Sequence, residues 1–443
     1  MQKSLYLIAG LGKTGFSIAR FLKNRHLDFV VFDSRQHPPG LSEFEQEFPG
    51  VTIYLSQLPE DVYPRLIEVI SSPGVALDSE ELSRARDFGI PIIGDVECLA
   101  RAIKAPVVAI TGTNGKSTVT TLVGLMAEAQ GLKVAIAGNI GSPVLDLLDD
   151  GVDYDLWVLE LSSFQLDLIE TLAPLAATIL NITPDHLDRH HHFDVYVAAK
   201  HKVYRQAKYL VYNRDDDKTT PNLSMKTTSF GLNTPEPGCW GILKQQDHLY
   251  LAYGDEPWVA VQDLHILGRH NWANAMAAMA LATMVGIQKN HIQNVLRHFK
   301  GLAHRSQWVR RLDGVDWFND SKGTNVGATV SAIAGLGGSI DGKVILIAGG
   351  QGKGASFDAL QTIIKKHVRK AVLIGEDATQ IEAALSGTVP LVHATSMEHA
   401  IDLARKEAHV GDVVLLSPAC ASFDMFRDFN HRGEVFTDLV LAL

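Results

Sequence analysis

The stretch "AITGTNGKSTVTTL", residues 109–122, holds the residue types that grip a phosphate. An apolar run leads into a glycine turn, and Lys116, Ser117 and Thr118 open a helix. Such a helix start presents unpaired backbone N–H groups and the positive end of its dipole to an anion. Lys116 can set a point charge on terminal phosphates, and the hydroxyl of Ser117 or Thr118 can ligate magnesium. The usual nucleotide loop places four residues between its first glycine and its Gly-Lys pair. Here only Thr113 and Asn114 separate Gly112 from Gly115.

Other segments carry compatible chemistry. "GLGKTG", residues 10–15, follows an apolar run, with Asp33 closing the next one. This is the dinucleotide fingerprint in form, and it motivates a rival reading as a nicotinamide-dependent dehydrogenase. "LELSSFQLD", 159–167, places Glu160 at the end of a strand, where an acid beside a phosphate loop is the expected partner of magnesium. Ser162, Ser163 and Gln165 add polar groups to that edge. The segment 181–204 is crowded with Asp185, His186 and the run His190–His192. Zinc is not favoured there, because thiolates and an HExxH helix are missing. Asp185 and His186 follow a strand and are the better candidates, whereas the histidine run reads as polar surface. Lys200, in a helix-compatible stretch, reads by itself as a solvated lysine. Asn271 and Asn274 are three apart and share one helical face. His304 and Arg305, then Asp320, Lys322 and Thr324, then Lys353 in "AGGQGKG" and the segment 417–429 complete the set.

Composition narrows the classes. The chain has 443 residues, 46% hydrophobic and 20% charged, with a net charge of −10. That balance fits large cores and argues against general nucleic-acid binding, which wants a basic surface. Three scattered cysteines give neither a disulfide framework nor a zinc pattern. No apolar run is long enough to span a membrane, and the first residues lack a leader's apolar core, so a cytoplasmic protein is expected.

The elements that must position these residues alternate strand and helix, which predicts parallel, doubly wound sheets. Strands are predicted at 5–10, 28–33, 51–55, 68–74 and 90–94. A second series begins at 104–111 and continues through 134–138, 156–160, 177–183 and 209–213. Residues 226–262 read as an antiparallel hairpin layer, and 271–286 as a helix. A third series covers 315–320, 343–350, 370–375, 390–394 and 412–417. The expected fold is α/β in three domains: an N-terminal Rossmann-like domain (1–95), a central P-loop-type ATPase with a parallel sheet and a small antiparallel layer (96–301), and a C-terminal Rossmann-like domain (302–443).

Together, "TGTNGKST", "LELSSFQL", "NITPDHLDRH", "GRHNWANAMAA", His304-Arg305 and "NDSKGTN" resemble, in order, the motifs of the Mur ligase family. These are ATP-dependent amide ligases of peptidoglycan synthesis. "FNDSKGTN" and "SPACASFDMFRDFNHRG" look most like the branch that adds D-glutamate to UDP-N-acetylmuramoyl-L-alanine. The Asp-Asn-Pro-Arg string of the diaminopimelate- and lysine-adding branch is absent, and the alanine-adding branch is the nearest alternative. Gly323 and Phe423 depart from the family's usual alanine and leucine.

The resemblance implies roles. Gly112, Thr113, Asn114, Gly115, Lys116, Ser117 and Thr118 would bind ATP with Asn271, Asn274, Arg305 and Asp320. Ser117, Glu160, His186 and Lys200, the last as a carbamate, would serve two magnesium ions, which manganese could replace. Lys116, Glu160, His186 and Lys200 would be the catalytic set. Lys13, Thr14, Asp33, Ser34, Arg35, Ser72, Gly74, Asn139, Ser162 and Gln165 would contact the UDP-sugar substrate. Lys322, Thr324, Lys353, Ser422 and Phe429 would lie around D-glutamate. A monomer is expected, without nucleic acid or membrane insertion.

Overall fold

A computed structural model of the chain describes residues 5–221, 225–266, 268–338 and 340–443. The first sheet is wholly parallel. Its strands are β1 (Leu5–Ala9), β2 (Phe29–Asp33), β3 (Ile53–Leu55), β4 (Leu66–Ser71) and β5 (Ile92–Gly94), in the order β3-β2-β1-β4-β5. Both faces are covered. Ile8 and Val31 pack into one core, while Leu7, Ala9 and Val30 pack into the other. That two-sided burial is why these strands read as continuous apolar runs.

The second sheet contains β6 (Val107–Thr111), β7 (Val134–Gly138), β8 (Leu156–Glu160), β9 (Ala176–Ile179), β10 (Tyr209–Asn213) and β11 (Lys226–Phe230). They are parallel, in the order β11-β10-β9-β6-β8-β7. β6 has β8 on one side and β9 on the other, so the connections diverge at its carboxyl end. An open α/β sheet forms its ligand crevice at such a point. β11 corrects the expected hairpin layer, because it extends the parallel sheet along β10. Trp240, the first residue of β12 (Trp240–Gln245), pairs with Phe230, also parallel. Antiparallel pairing is seen between β13 (His248–Tyr253) and β14 (Glu256–Ala260).

The third sheet has β15 (Gln307–Leu312), β16 (Val315–Asn319), β17 (Val344–Gly349), β18 (Val368–Ile374), β19 (Leu391–His393) and β20 (Val413–Leu416), ordered β15-β16-β20-β17-β18-β19. Only β15 is antiparallel. Apolar clusters cover its two faces: Phe318, Leu346 and Leu415 on one, Trp317, Ile345 and Phe436 on the other.

The chain forms two compact units. One contains the described residues up to 231 with 237–240 and 277–295; the other contains the described residues of 232–236, 241–276 and 296–443. In the first unit the two parallel sheets share a core running from Ile8 to Leu210. Arg20 pairs with Asp146 and Arg25 with Asp149, while Glu97, fully buried, accepts the N–H groups of Glu170 and Thr171. Among the described residues no helix is long and apolar enough to cross a membrane.

Candidate active site

The phosphate loop leaves β6 under tight constraint. Gly112 has φ +149° and backs onto the chain after β9, where an added Cβ would lie 3.0 Å from Leu180 Cβ and 3.3 Å from the Asn181 nitrogen. Gly115, at φ +85°, turns the chain into helix Lys116–Ala129. Both positions lie in the left-handed half of backbone space that glycine tolerates. Asn181 staples the loop: its side chain accepts from the Asn114 N–H at 2.9 Å and donates to the Asn114 carbonyl at 3.0 Å. Thr113 Oγ1 donates to the Thr183 carbonyl at 3.1 Å and accepts from the Thr183 N–H at 3.0 Å. Lys116 folds over this turn, and its Nζ donates to the carbonyls of Gly112 and Thr113, both at 2.9 Å.

β8 delivers Glu160 to the same edge, with the residue almost fully buried. Ser117 Oγ donates to its Oε2 at 2.6 Å, and Asn139 Nδ2 donates to its Oε1 at 3.1 Å. Both carboxylate oxygens are therefore held in place beside the helix start.

Lys200 overturns its reading as a solvated lysine. It lies on helix Phe193–His201 with only 2% of its surface exposed, and its Nζ donates to the Gly112 carbonyl at 2.9 Å. Two lysines thus share one carbonyl oxygen. Burial, then the neighbouring Lys116 charge, push the Lys200 pKa well below that of an ordinary lysine. Burial and a like charge both work against the ammonium form and toward the neutral amine. The Lys200 Nζ also sits 4.6 Å from the centre of the Tyr196 ring, and the Tyr196 hydroxyl bonds Thr113 Oγ1.

His186 takes a left-handed backbone at φ +53° and caps the short helix Leu187–His190. Its ring stands edge-on to Phe164, with centres 5.0 Å apart, and its Nε2 is 3.7 Å from Asp185 Oδ2. The histidine run does not lie wholly on the surface. His191 and His192 are exposed, but His190 is buried, stacked on Phe164, with Nε2 2.9 Å from Ser163 Oγ. Burial lowers its pKa. Among the described residues no group of three or more His, Cys, Asp or Glu side chains is gathered to hold a metal by itself.

The amino-terminal glycine turn is equally tight, since a Cβ on Gly15 would overlap the Gly10 carbonyl oxygen. Asp33 is buried and braces this turn. Its Oδ2 accepts from the Leu11 N–H at 2.8 Å, and its carboxylate takes the Arg35 guanidinium at 2.8 and 2.7 Å. Burial pulls the Asp33 pKa upward, but Arg35 and these N–H groups hold it below its ordinary value. A cleft of about 690 Å³ opens beside the turn, lined among others by Leu11, Lys13, Arg35 and Pro143. Lys13, Ser34, Arg35 and Gly74 are exposed, Thr14 is half-buried, and buried Ser72 donates to the Gly10 carbonyl at 3.3 Å. Ser162 and Gln165 form a capping box on helix Ser163–Leu166.

In the second unit, Asn271 and Asn274 meet on helix Arg269–Met284, with the Asn274 amide donating to Asn271 Oδ1 at 3.3 Å. Asp320 follows β16 and is buried. It accepts from the Ser306 N–H at 2.9 Å and from Ser417 Oγ at 2.7 Å. Burial raises its pKa to about 6, against the lowering pull of those donors and Arg305. Lys322 Nζ lies 3.5 Å from the centre of the Phe429 ring, and Ser422 is buried. Thr324 is exposed, as is Lys353, which stands 5.7 Å from the Phe423 ring centre.

The scaffold beneath these residues carries no local signal in the sequence. Arg432, 1% exposed, donates to the carbonyls of Ser321 and Cys420 and to Ser321 Oγ, and burial lowers its pKa to about 10. Asn319, fully buried, donates to the Gly433 carbonyl and sits 3.0 Å from His304 Nδ1. Gly433 leaves room for the His304 ring, which a Cβ there would overlap.

Comparison with known proteins places the chain. Family models described as Mur ligase MurD-like N-terminal domain, Mur ligase middle domain and Mur ligase glutamate ligase domain match residues 4–94, 110–282 and 304–420. A Legionella pneumophila (strain Paris) protein named UDP-N-acetylmuramoylalanine--D-glutamate ligase is 60% identical over 447 aligned positions, covering 100% of both chains. A Pseudomonas savastanoi pv. phaseolicola protein of the same name is 47% identical, covering 99% of this chain and 98% of its own. The MurF ligase structure from Thermotoga maritima, in complex with ADP, superposes with a TM-score of 0.64 at 16% identity, covering 100% of this chain and 96% of that one. At that identity the likeness concerns the fold.

Proposed function

The chain belongs to the Mur ligase family, and from that premise we propose that it joins D-glutamate to UDP-N-acetylmuramoyl-L-alanine, consuming ATP and releasing ADP and phosphate, in peptidoglycan precursor synthesis. The observation that carries this reading is the 60% identity, over the whole chain, to a D-glutamate ligase of that name.

The chemistry has to make a carboxylate electrophilic. The L-alanyl carboxylate attacks the γ-phosphorus of ATP, the bond to ADP breaks, and an acyl phosphate forms. The amine of D-glutamate then attacks the acyl carbon, loses a proton, and expels phosphate from a tetrahedral intermediate. Phosphoryl transfer depends mostly on positioning and charge stabilisation. Lys116 supplies a cation that can exchange its two carbonyl partners for phosphate oxygens. Asn271, Asn274, Arg305 and Asp320 would hold the nucleotide. Lys322, Thr324, Lys353, Ser422 and Phe429 would receive D-glutamate. The cleft beside Leu11 and Arg35, with Ser72 and Gly74, would receive the UDP-sugar.

Magnesium fits the residues present. Ser117 and Glu160 offer hard oxygen donors 2.6 Å apart at the loop, and Mg²⁺ favours few protein oxygens completed by substrate phosphates. When bound, the ion would neutralise phosphate charge. A second ion would be held by His186 and by Lys200 in an anionic form, because an amine offers only a weak ligand to a hard cation. Reaction of the Lys200 amine with carbon dioxide forms an N–C bond, releases a proton and leaves that anion. Burial favours the neutral amine that this step needs.

The test is phosphate release measured across amino acids with UDP-N-acetylmuramoyl-L-alanine as acceptor. D-glutamate should support turnover, with L-glutamate, L-alanine and glycine near background. Faster turnover with L-alanine on the unsubstituted UDP-muramate would assign the alanine-adding reaction instead.

A further inference from the structure

One contact in the first unit joins two segments that the proposed reaction uses separately. Arg189, on helix Leu187–His190, sends Nη1 to the Gly74 carbonyl at 3.1 Å and Nη2 to the Val75 carbonyl at 2.9 Å. The loop it holds starts at Ser72 and packs against the amino-terminal glycine turn, since Ser72 Oγ donates to the Gly10 carbonyl. The Arg189 guanidinium also lies 4.6 Å from the centre of the Phe164 ring. Phe164 is a hub: His190 stacks on it and His186 meets it edge-on. Phe164 itself sits on helix Ser163–Leu166, shortly after Glu160. Two residues beyond Arg189, His191 Nε2 lies 3.4 Å from Asp78 Oδ2 and marks the same crossing.

We infer that Arg189 is a positioning residue for the UDP-sugar acceptor, clamping the 72–75 loop to the Phe164–His186 edge. The inference rests on the proposed function, because the acceptor's place at Ser72 and Gly74 comes from it. Both donors reach backbone carbonyls, so the clamp fixes the path of the loop and is indifferent to its side chains. Guanidinium suits the task, because its planar fork serves two carbonyls at once while its charge lies over an aromatic ring.

The test uses the full chain with Arg189→Met, which keeps the stem over Phe164 and removes both donors, and Arg189→Lys, which keeps one cationic donor. For Arg189→Met the KM for UDP-N-acetylmuramoyl-L-alanine should rise roughly tenfold, the scale of losing two partly exposed hydrogen bonds, with a smaller rise for Arg189→Lys. KM values for ATP and D-glutamate should stay within about twofold of wild type. The dissociation constant for the acceptor, by titration calorimetry, should shift by the same factor and needs no turnover. An unchanged acceptor constant in a folded Arg189→Met variant, or an equal rise for all three substrates, overturns the inference. If Arg189→Met does not fold, Arg189→Lys carries the same comparison. Failure of the proposed function is read separately, as wild-type enzyme that transfers no D-glutamate although it binds the UDP-sugar.

Discussion

Lys200→Ala should lose at least about 10³-fold in turnover, the scale of removing a positioned charge from phosphoryl transfer. The side chain is buried, its amine is 2.9 Å from the Gly112 carbonyl, and its low pKa follows from burial and from Lys116. Burial and the Lys116 charge both disfavour the cationic form in that setting. As a carbamate it becomes an anion beside the phosphate loop, able to ligate a metal. Two measurements separate this role from packing. Wild-type enzyme stripped of carbon dioxide should lose activity and recover it with bicarbonate, whereas Lys200→Ala should not respond. Lys200→Met should remain folded, with a melting temperature close to wild type, because it fills most of the same space beside Tyr196. Near-normal turnover in Lys200→Ala would end the assignment. So would wild-type activity indifferent to carbon dioxide.

Lys116→Ala should cost on the order of 10³-fold in kcat, comparable to other positioned cations at a transferring phosphoryl group. Its two bonds to the Gly112 and Thr113 carbonyls hold the lysine over the turn. The effect should fall on kcat more than on the ATP KM, because the charge matters most as it develops in the transition state. The loop is independently stapled by Asn181 and Thr113, so the melting temperature should change little. Lys116→Arg should recover little activity, since a bulky fork cannot occupy a position built for a compact ammonium between two carbonyls. Equal loss of kcat and ATP affinity, or a large loss of stability, would contradict this division of labour.

Much of this architecture is legible in the sequence because the signals are local. The glycine turns at Gly10–Gly15 and Gly112–Gly115 announce their own backbone demands, and each strand buried on both faces writes a continuous apolar run. Glu160 is readable because a strand ends on it. What escapes is whatever depends on packing between distant segments. Lys200 sits in a helical stretch whose pattern says nothing of β6 lying against it, so a solvated lysine is the natural reading. His190 is buried because Phe164 and Ser163 lie opposite, and its exposed neighbours His191 and His192 disguise that. β11 leads into the turn-rich stretch 231–238 and so reads as part of a hairpin layer, yet β10 offers it a parallel edge. Arg432 and Gly433 look ordinary in "NHRGEVF"; their work is to hold the carbonyls of Ser321 and Cys420 and to make room for His304. No nearby residue announces either contact.

The central claim is that this phosphate loop aims the γ-phosphate at a carboxylate. The most direct test is to label both oxygens of the L-alanyl carboxylate of the acceptor with ¹⁸O and analyse the products by mass spectrometry. An acyl-phosphate route predicts one ¹⁸O atom in each phosphate released and one retained in the new amide. Phosphate free of label, with ADP still formed in step with the amide, would contradict it.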